Sequence, residues 1–174
     1  MQIFIVGIRH QIQSAEIQCW SCGRHQAFEQ EQKDRFASLL RENIAEHGVQ
    51  IVVEEASHEG DTITKIVCER LKCQYVNIDM PLDERNVQGI PAGYNENPDT
   101  APGDCKRWNR EREEYMAARA IAEAGSVASM MVICGRGHMQ ALAERFECVG
   151  HKVEMCDLRD QPWYIDNWTE HMWR

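Results

Sequence analysis

The sequence predicts an α/β fold: three layers, with a mostly parallel sheet of about five strands and helices on both faces. Two patterns predict it. Short apolar runs alternate along the chain with longer segments of helical periodicity. The runs are apolar throughout rather than at every second residue, as in strands covered on both faces. At 174 residues and 20.1 kDa the chain has the length of one domain, so residues 1–174 are read as a single unit.

The first run, Ile3-Phe4-Ile5-Val6, ends at Gly7 and reads as a buried strand. Residues 11–27 are polar and irregular. A helix follows from Phe28 to Glu46, where Phe36, Leu39, Leu40, Asn43 and Ile44 share helical spacing and Gly48 is the stop. Ile51-Val52-Val53 is the second strand and runs into Glu54-Glu55. Asp61 or Thr62 caps the next helix, with Ile63, Ile66, Val67 and Leu71 as its buried stripe. Tyr75 to Ile78 is the third strand, ending at Asp79. Residues 81–104 hold four of the five prolines together with Gly89, Gly93 and Gly103. That composition predicts a long irregular loop, a candidate lid. Helix resumes from Lys106 to Ala124 and stops at Gly125. Met130 to Cys134 is the fourth strand, leading into Gly135. Met139, Leu142 and Phe146 mark a further helix, and Val153 to Leu158 the fifth strand. The tail, 159–174, carries Trp163, Trp168 and Trp173. It either docks on its own domain or forms a sticky patch through which copies self-associate into a homo-oligomer.

Composition excludes several classes. The net charge is −9, from 19 basic and 28 acidic residues. Such a chain repels phosphate backbones and anionic membranes on average, so neither nucleic acid nor membrane is an expected partner. No apolar run reaches the roughly 18 residues of a membrane span. MQIFIVGIRH reads as a strand rather than a signal peptide, which predicts a cytoplasmic protein. Of the 8 cysteines, Cys68, Cys134 and Cys156 lie within apolar patterns and are read as packed free thiols. No phosphate-binding glycine loop and no G-x-S-x-G elbow appears.

Chemistry gathers at the strand ends. Gly7-Ile8-Arg9-His10 follows the first strand, Glu54-Glu55 the second, Asp79 the third, Gly135-Arg136-Gly137-His138 the fourth, and Asp157 lies near the end of the fifth. Ligands of open parallel sheets bind outside these carboxyl ends. Two histidines and several carboxylates are therefore expected on one edge. Paired imidazoles beside a carboxylate either bind a divalent metal or supply a general base and an electrophilic donor. The metal set would be His10, Glu54 and His138, holding Mn, Co or Zn. Strand side chains alternate, so one of Glu54 and Glu55 faces the site, with Glu54 preferred and Glu55 retained. Arg112, on the helix after the long loop, would clamp an anionic group or a developing oxyanion. Arg9, Glu111 and Arg136 are the candidate substrate-binding residues.

Gly7-x-x-His10, Glu54, Glu111-Arg112-Glu113-x-x-Met116-Ala117, and Gly135-x-x-His138 before an amphipathic helix form an ordered set. Together they resemble the TraB/PrgY and Tiki family, part of a wider group with the erythromycin-esterase-like and ChaN-like proteins. The resemblance spans residues 3–158. It implies an α/β fold and a hydrolase-like site at His10, Glu54, Arg112 and His138. The family includes metal-dependent proteases and metal-independent esterases. This chain departs in having Gln11-Ile12 after His10, where many members have a small residue and Pro.

The expected function is thus hydrolysis of an ester or amide bond in a small molecule or peptide, with or without a metal. The alternative is a binding module that holds a ligand or protein without turnover. A rival feature is Cys19-Trp20-Ser21-Cys22, which reads as plain loop cysteines, as a redox dithiol, or, with His25, as a partial zinc site.

Overall fold

The computed structural model describes residues 1–16, 23–56, 60–94 and 100–165, with the side chains of 23–25 excepted. The motif at Cys19, Cys22 and His25 and the tail residues Trp168 and Trp173 lie outside what is described. Five strands form the sheet: β1 (Gln2–Ile8), β2 (Ile51–Glu54), β3 (Gln74–Asn77), β4 (Ser129–Gly135) and β5 (Lys152–Asp157). All are parallel, in the order β3-β2-β4-β1-β5. Five helices accompany them: α1 (Gly23–Glu46), α2 (Ile63–Leu71), α3 (Leu82–Val87), α4 (Pro102–Ala124) and α5 (Met139–Cys148).

The alternation of side chains along each strand sorts the core into two layers. Phe4, Val6, Val52 and Met131 pack with Phe36 and Leu40 of α1 and Val67 of α2. Ile3, Ile5, Val53 and Val132 pack on the opposite face with Met116 and Ala120 of α4 and Leu142 and Phe146 of α5. The three-layer architecture read from the sequence is therefore the one observed. The chain steps from β1 to β2 to β3 past the first face, then back through β4 to β5 past the second. Leaving the adjacent strands β1 and β4, it turns to opposite faces. Such a divergence opens a crevice above the sheet edge.

Several elements differ from their sequence readings. The first helix begins at Gly23, five residues before Phe28. In α2 the buried residues are Ile63, Thr64, Val67 and Cys68, while Leu71 is exposed. The stripe is rotated because Thr64 points to a buried acid, described below. Thr62 caps this helix by accepting from the Lys65 N–H at 3.0 Å, worth about 1 kcal/mol. The segment 81–104 is not wholly irregular. Pro81 precedes α3, whose first turn holds Asp83 and Glu84 near its positive end. Pro102 occupies the first turn of α4, where its missing N–H costs nothing. Met80, Ile90 and Tyr94 then pack as a small third cluster against Cys105, Trp108 and Tyr115 of α4. β5 starts one residue before the strand read from Val153 to Leu158, lies at the edge of the sheet and is largely exposed.

The beginning of the tail docks on its own domain. Gln32 of α1 donates to the Trp163 carbonyl at 2.9 Å and accepts from the Ile165 N–H at 3.3 Å. Trp163 and Tyr164 pack on the α1 side of the core. Among the described residues no helix is long and apolar enough to cross a membrane.

Gly7 and Gly135 occupy matching places on neighbouring strands, with Gly7 opposite Cys134 and Ile8 opposite Gly135. Neither has a positive φ. Their requirement is space rather than backbone freedom. A Cβ on Gly7 would lie 1.8 Å from Met139 Sδ. Gly7→Ala is therefore expected to destabilise the fold by about 1–3 kcal/mol through overpacking. Chemical denaturation of Gly7→Ala, alone and with Met139→Ala, checks this: the second change should relieve part of the loss.

Candidate functional site

Four strand ends meet above this crevice, and the centre of the cluster is Glu55. Its side chain is almost wholly buried, so its charge needs partners from the protein. Oε1 accepts from Arg112 Nη2 at 2.8 Å, and Oε2 accepts from the Gly135 backbone N–H at 2.8 Å. His138 Nε2 lies 3.5 Å and His10 Nε2 3.9 Å from the same Oε1. One carboxylate thus joins β2, α4, β4 and both Gly-x-x-His segments.

Gly135 makes this convergence sterically feasible. A Cβ there would fall 2.9 Å from His10 Nε2 and 3.3 Å from Glu55 Oε2. The glycine of the second motif makes room for the histidine of the first. Reciprocally, Gly7 makes room for Met139, the residue after the second histidine.

The two imidazoles have different surroundings. His10 opens to solvent, with 47% of its side chain accessible. Its Nδ1 meets Gln13 Oε1 at 2.7 Å. Gln13 turns its amide nitrogen to two acceptors, the Glu55 carbonyl at 2.6 Å and Glu54 Oε1 at 3.2 Å. That arrangement assigns Oε1 as the acceptor, so His10 Nδ1–H donates, and in the neutral ring the lone pair is on Nε2. His138 is buried, and its Nδ1–H donates to Glu113 Oε1 at 2.9 Å. Arg145 Nη1 stands 3.7 Å from the other Glu113 oxygen. Burial disfavours the His138 cation, but the Glu113 hydrogen bond and the Glu55 charge outweigh it and raise its pKa.

Arg112 is held as firmly. Besides Glu55 it donates to Asp79 Oδ1 at 2.8 Å, and Nη1 lies 3.5 Å from the Tyr94 hydroxyl. Tyr94 in turn donates to Asn109 at 2.5 Å. Asp79 also receives Arg85 of α3, which ties the start of the 81–104 segment to the cluster. Burial works against the guanidinium charge, yet Asp79 and Glu55 drive its pKa upward. Among the described atoms Arg112 Nε is a buried donor without an acceptor.

Glu54, the preferred acid in the sequence reading, faces the other layer. The alternation that sends Val53 toward α4 sends Val52 and Glu54 toward α2. Its carboxylate accepts from Thr62 at 2.6 Å, Thr64 and Tyr75 at 2.8 Å, and Gln13. Burial raises its pKa, and these four bonds counter that. Glu55, the retained alternative, is the acid beside the imidazoles. Glu54 touches the cluster only through Gln13 and His10.

The three candidate substrate residues have neighbours of their own. Glu111 is half-buried and 3.9 Å from Arg107 Nε along α4. Arg9 lines a narrow cleft with Glu29, Lys33 and Tyr164 on the α1 side. Arg136 lies where its charge acts on Asp157; burial opposes ionisation there, but Arg159 and Arg136 hold that pKa down. Gln13, Asp79, Tyr94 and Glu113 are the contributors that the sequence reading did not assign to the site. Asp79 ends a strand, and Glu113 adjoins Arg112, so both carried a positional signal; Gln13 and Tyr94 carried none.

The expected metal set does not assemble, because Glu54 points away from the two histidines. Among the described residues no three His, Cys, Asp or Glu side chains are arranged to hold an ion. Glu55 has its Oε1 on Arg112, and a divalent cation placed there would be repelled by that guanidinium. No protein-family profile, curated protein or solved structure matches the chain.

The raised His138 pKa has a defined sign. The stabilisation from Glu113 and Glu55 is fully present below the ordinary histidine value of 6.5 and is lost as pH rises through the higher folded-state value. An NMR titration should place the His138 midpoint above 6.5 and show it falling in Glu113→Gln. A wild-type midpoint at or below 6.5 contradicts the assignment.

Proposed function

We propose that this chain is a hydrolase-like protein that cleaves an ester or amide bond in a small molecule or peptide without a metal. We further propose kinship with the TraB/PrgY and Tiki group, supported by the order of its motifs along the sheet edge. The observation that carries the reading is the open His10 imidazole, its Nε2 left as an acceptor by Gln13 and set beside a buried Glu55–Arg112–His138 cluster. In this mechanism His10 Nε2 takes a proton from water, and the water oxygen attacks the carbonyl carbon. The leaving group then receives that proton from the imidazolium. Glu55 lies near enough to steady the positive charge that His10 acquires. His138, whose cationic form the Glu113 hydrogen bond and the Glu55 charge favour, balances the negative charge that develops on the substrate oxygen. Arg112 positions Glu55 rather than touching substrate. A cytoplasmic setting suits a chain whose six described cysteines are all free thiols.

Hydrolysis of short p-nitrophenyl esters and of peptide anilides tests this reading. His10→Ala should lower kcat by about 10²–10⁴-fold, the usual worth of a positioned general base. Activity should survive chelation by EDTA. Full activity in His10→Ala overturns the catalytic role, and loss on chelation with recovery on added Zn, Mn or Co restores the metal version.

A second reading, ligand binding without turnover, draws on the mutual satisfaction of Glu55, Arg112 and Asp79. It expects a ligand to raise Tm while no product forms.

A further inference from the structure

We infer that Cys68 and Cys73 form a redox dithiol that exchanges with small disulfides of the glutathione class. The inference comes from how α2 ends. Lys72 takes a left-handed conformation, φ 56° and ψ 33°. The Cys73 N–H donates to the Cys68 carbonyl at 2.9 Å, and the Lys72 N–H to the Glu69 carbonyl at 3.3 Å. This pair of bonds defines a Schellman motif, whose hallmark is contact between the side chains three residues before and two residues after the helix end. Those two positions are Cys68 and Cys73. Cys73 packs on the core cluster that holds Cys68, so the helix end brings the two side chains to the same place.

The two sulfurs are not equivalent. Cys68 is wholly buried beneath α2. Cys73 is half-buried, within reach of a small molecule, and its Sγ lies 3.6 Å from the Val49 carbonyl. The thiol contact lowers the Cys73 pKa despite the cost of burial, while the same contact, burial and the nearby Glu54 and Glu69 charges raise that of Cys68. Cys73, the sulfur an incoming disulfide can reach, is thus the attacking thiolate, and the enclosed Cys68 is the resolving thiol.

The chemistry closes with a disulfide R–S–S–R as oxidant. Cys73 Sγ⁻ attacks one sulfur, forming a mixed disulfide and releasing one RS⁻. Cys68 then loses its proton, and its thiolate attacks Cys73 Sγ, releasing the second RS⁻. The protein ends two electrons oxidised with one new S–S bond, and the small disulfide ends as two thiols. The new bond would clasp α2 to the start of β3. Thr64 lies one helical turn before Cys68, and Tyr75 two residues after Cys73, and both donate to Glu54.

The sequence supplies a clean readout, because Arg70 and Lys72 stand between the two cysteines. Trypsin separates them unless a disulfide holds the peptides together. The folded chain is incubated with oxidised glutathione, quenched in acid, alkylated and mapped by mass spectrometry. The expected product is a linked pair of peptides lacking two hydrogens, reversed by dithiothreitol. Cys68→Ala, and Cys68→Ser as a second variant, should instead hold glutathione on Cys73. Alkylation of both wild-type thiols after incubation, with glutathione found on exposed Cys148 alone, overturns the proposal. So does a Cys68 variant, folded by circular dichroism, that gains no adduct at Cys73. Neither result bears on His10, so this inference and the hydrolase reading stand or fall separately.

Discussion

Taking a carboxylate out of water costs several kcal/mol unless other groups replace the lost hydration. Glu55 is in that position, and the replacement comes from Arg112, the Gly135 N–H and two imidazoles. These groups come from three separate parts of the chain: the segment after β1, α4, and the turn at the end of β4. Arg112 brings α4 onto the sheet, and through Asp79 and Arg85 it also anchors the segment that follows β3. Buried ion pairs of this kind are weak sources of stability compared with apolar packing, but losing one partner leaves a stranded charge. The Glu55–Arg112 pair is best understood as specifying where α4 crosses the sheet edge. Packing of Met116, Ala117 and Ala120 then supplies the adhesion.

Above that pair, the parallel register of β1 with β4 brings the two Gly-x-x-His segments side by side. Each glycine is small because of a side chain from the other segment. The motifs therefore form one interlocked unit rather than two similar loops. The imidazoles nevertheless differ in role. His138 is enclosed and hydrogen-bonded to Glu113, whereas His10 faces outward and is aligned from behind by Gln13 and Glu54. Two acids adjacent in sequence thus serve opposite layers, one directly and one through a relay.

The fold could be read from the sequence because the apolar runs and helical stripes obeyed their periods. The sheet-edge convergence of His10 and His138 followed from position alone, since parallel strands place their carboxyl ends together; Arg112 was reached only through the helix that follows the long loop. The choice between Glu54 and Glu55 could not be made that way. It depends on which face α4 covers, a property of topology rather than of local pattern. The α2 stripe was misjudged for a related reason: Thr64 looks like a surface residue until Glu54 is known to lie beneath it. Proline composition concealed α3 and the first turn of α4, because Pro81 and Pro102 start helices there. Gln13 had no distinguishing neighbours; only the bend after His10 turns it toward Glu54.

The strand order also bears on how the chain is made. β2 and β3 are consecutive in sequence and neighbours in the sheet, so that unit can assemble early. β1 pairs with β4 and β5, setting Ile3 beside Met130 and Val153. This apolar strand therefore has no sheet partner until β4, far later in the chain, is in place. Long-range parallel pairing is slow and leaves sticky segments uncovered while it waits. Until that pairing forms, the apolar run from Ile3 to Val6 is the segment most open to off-pathway association.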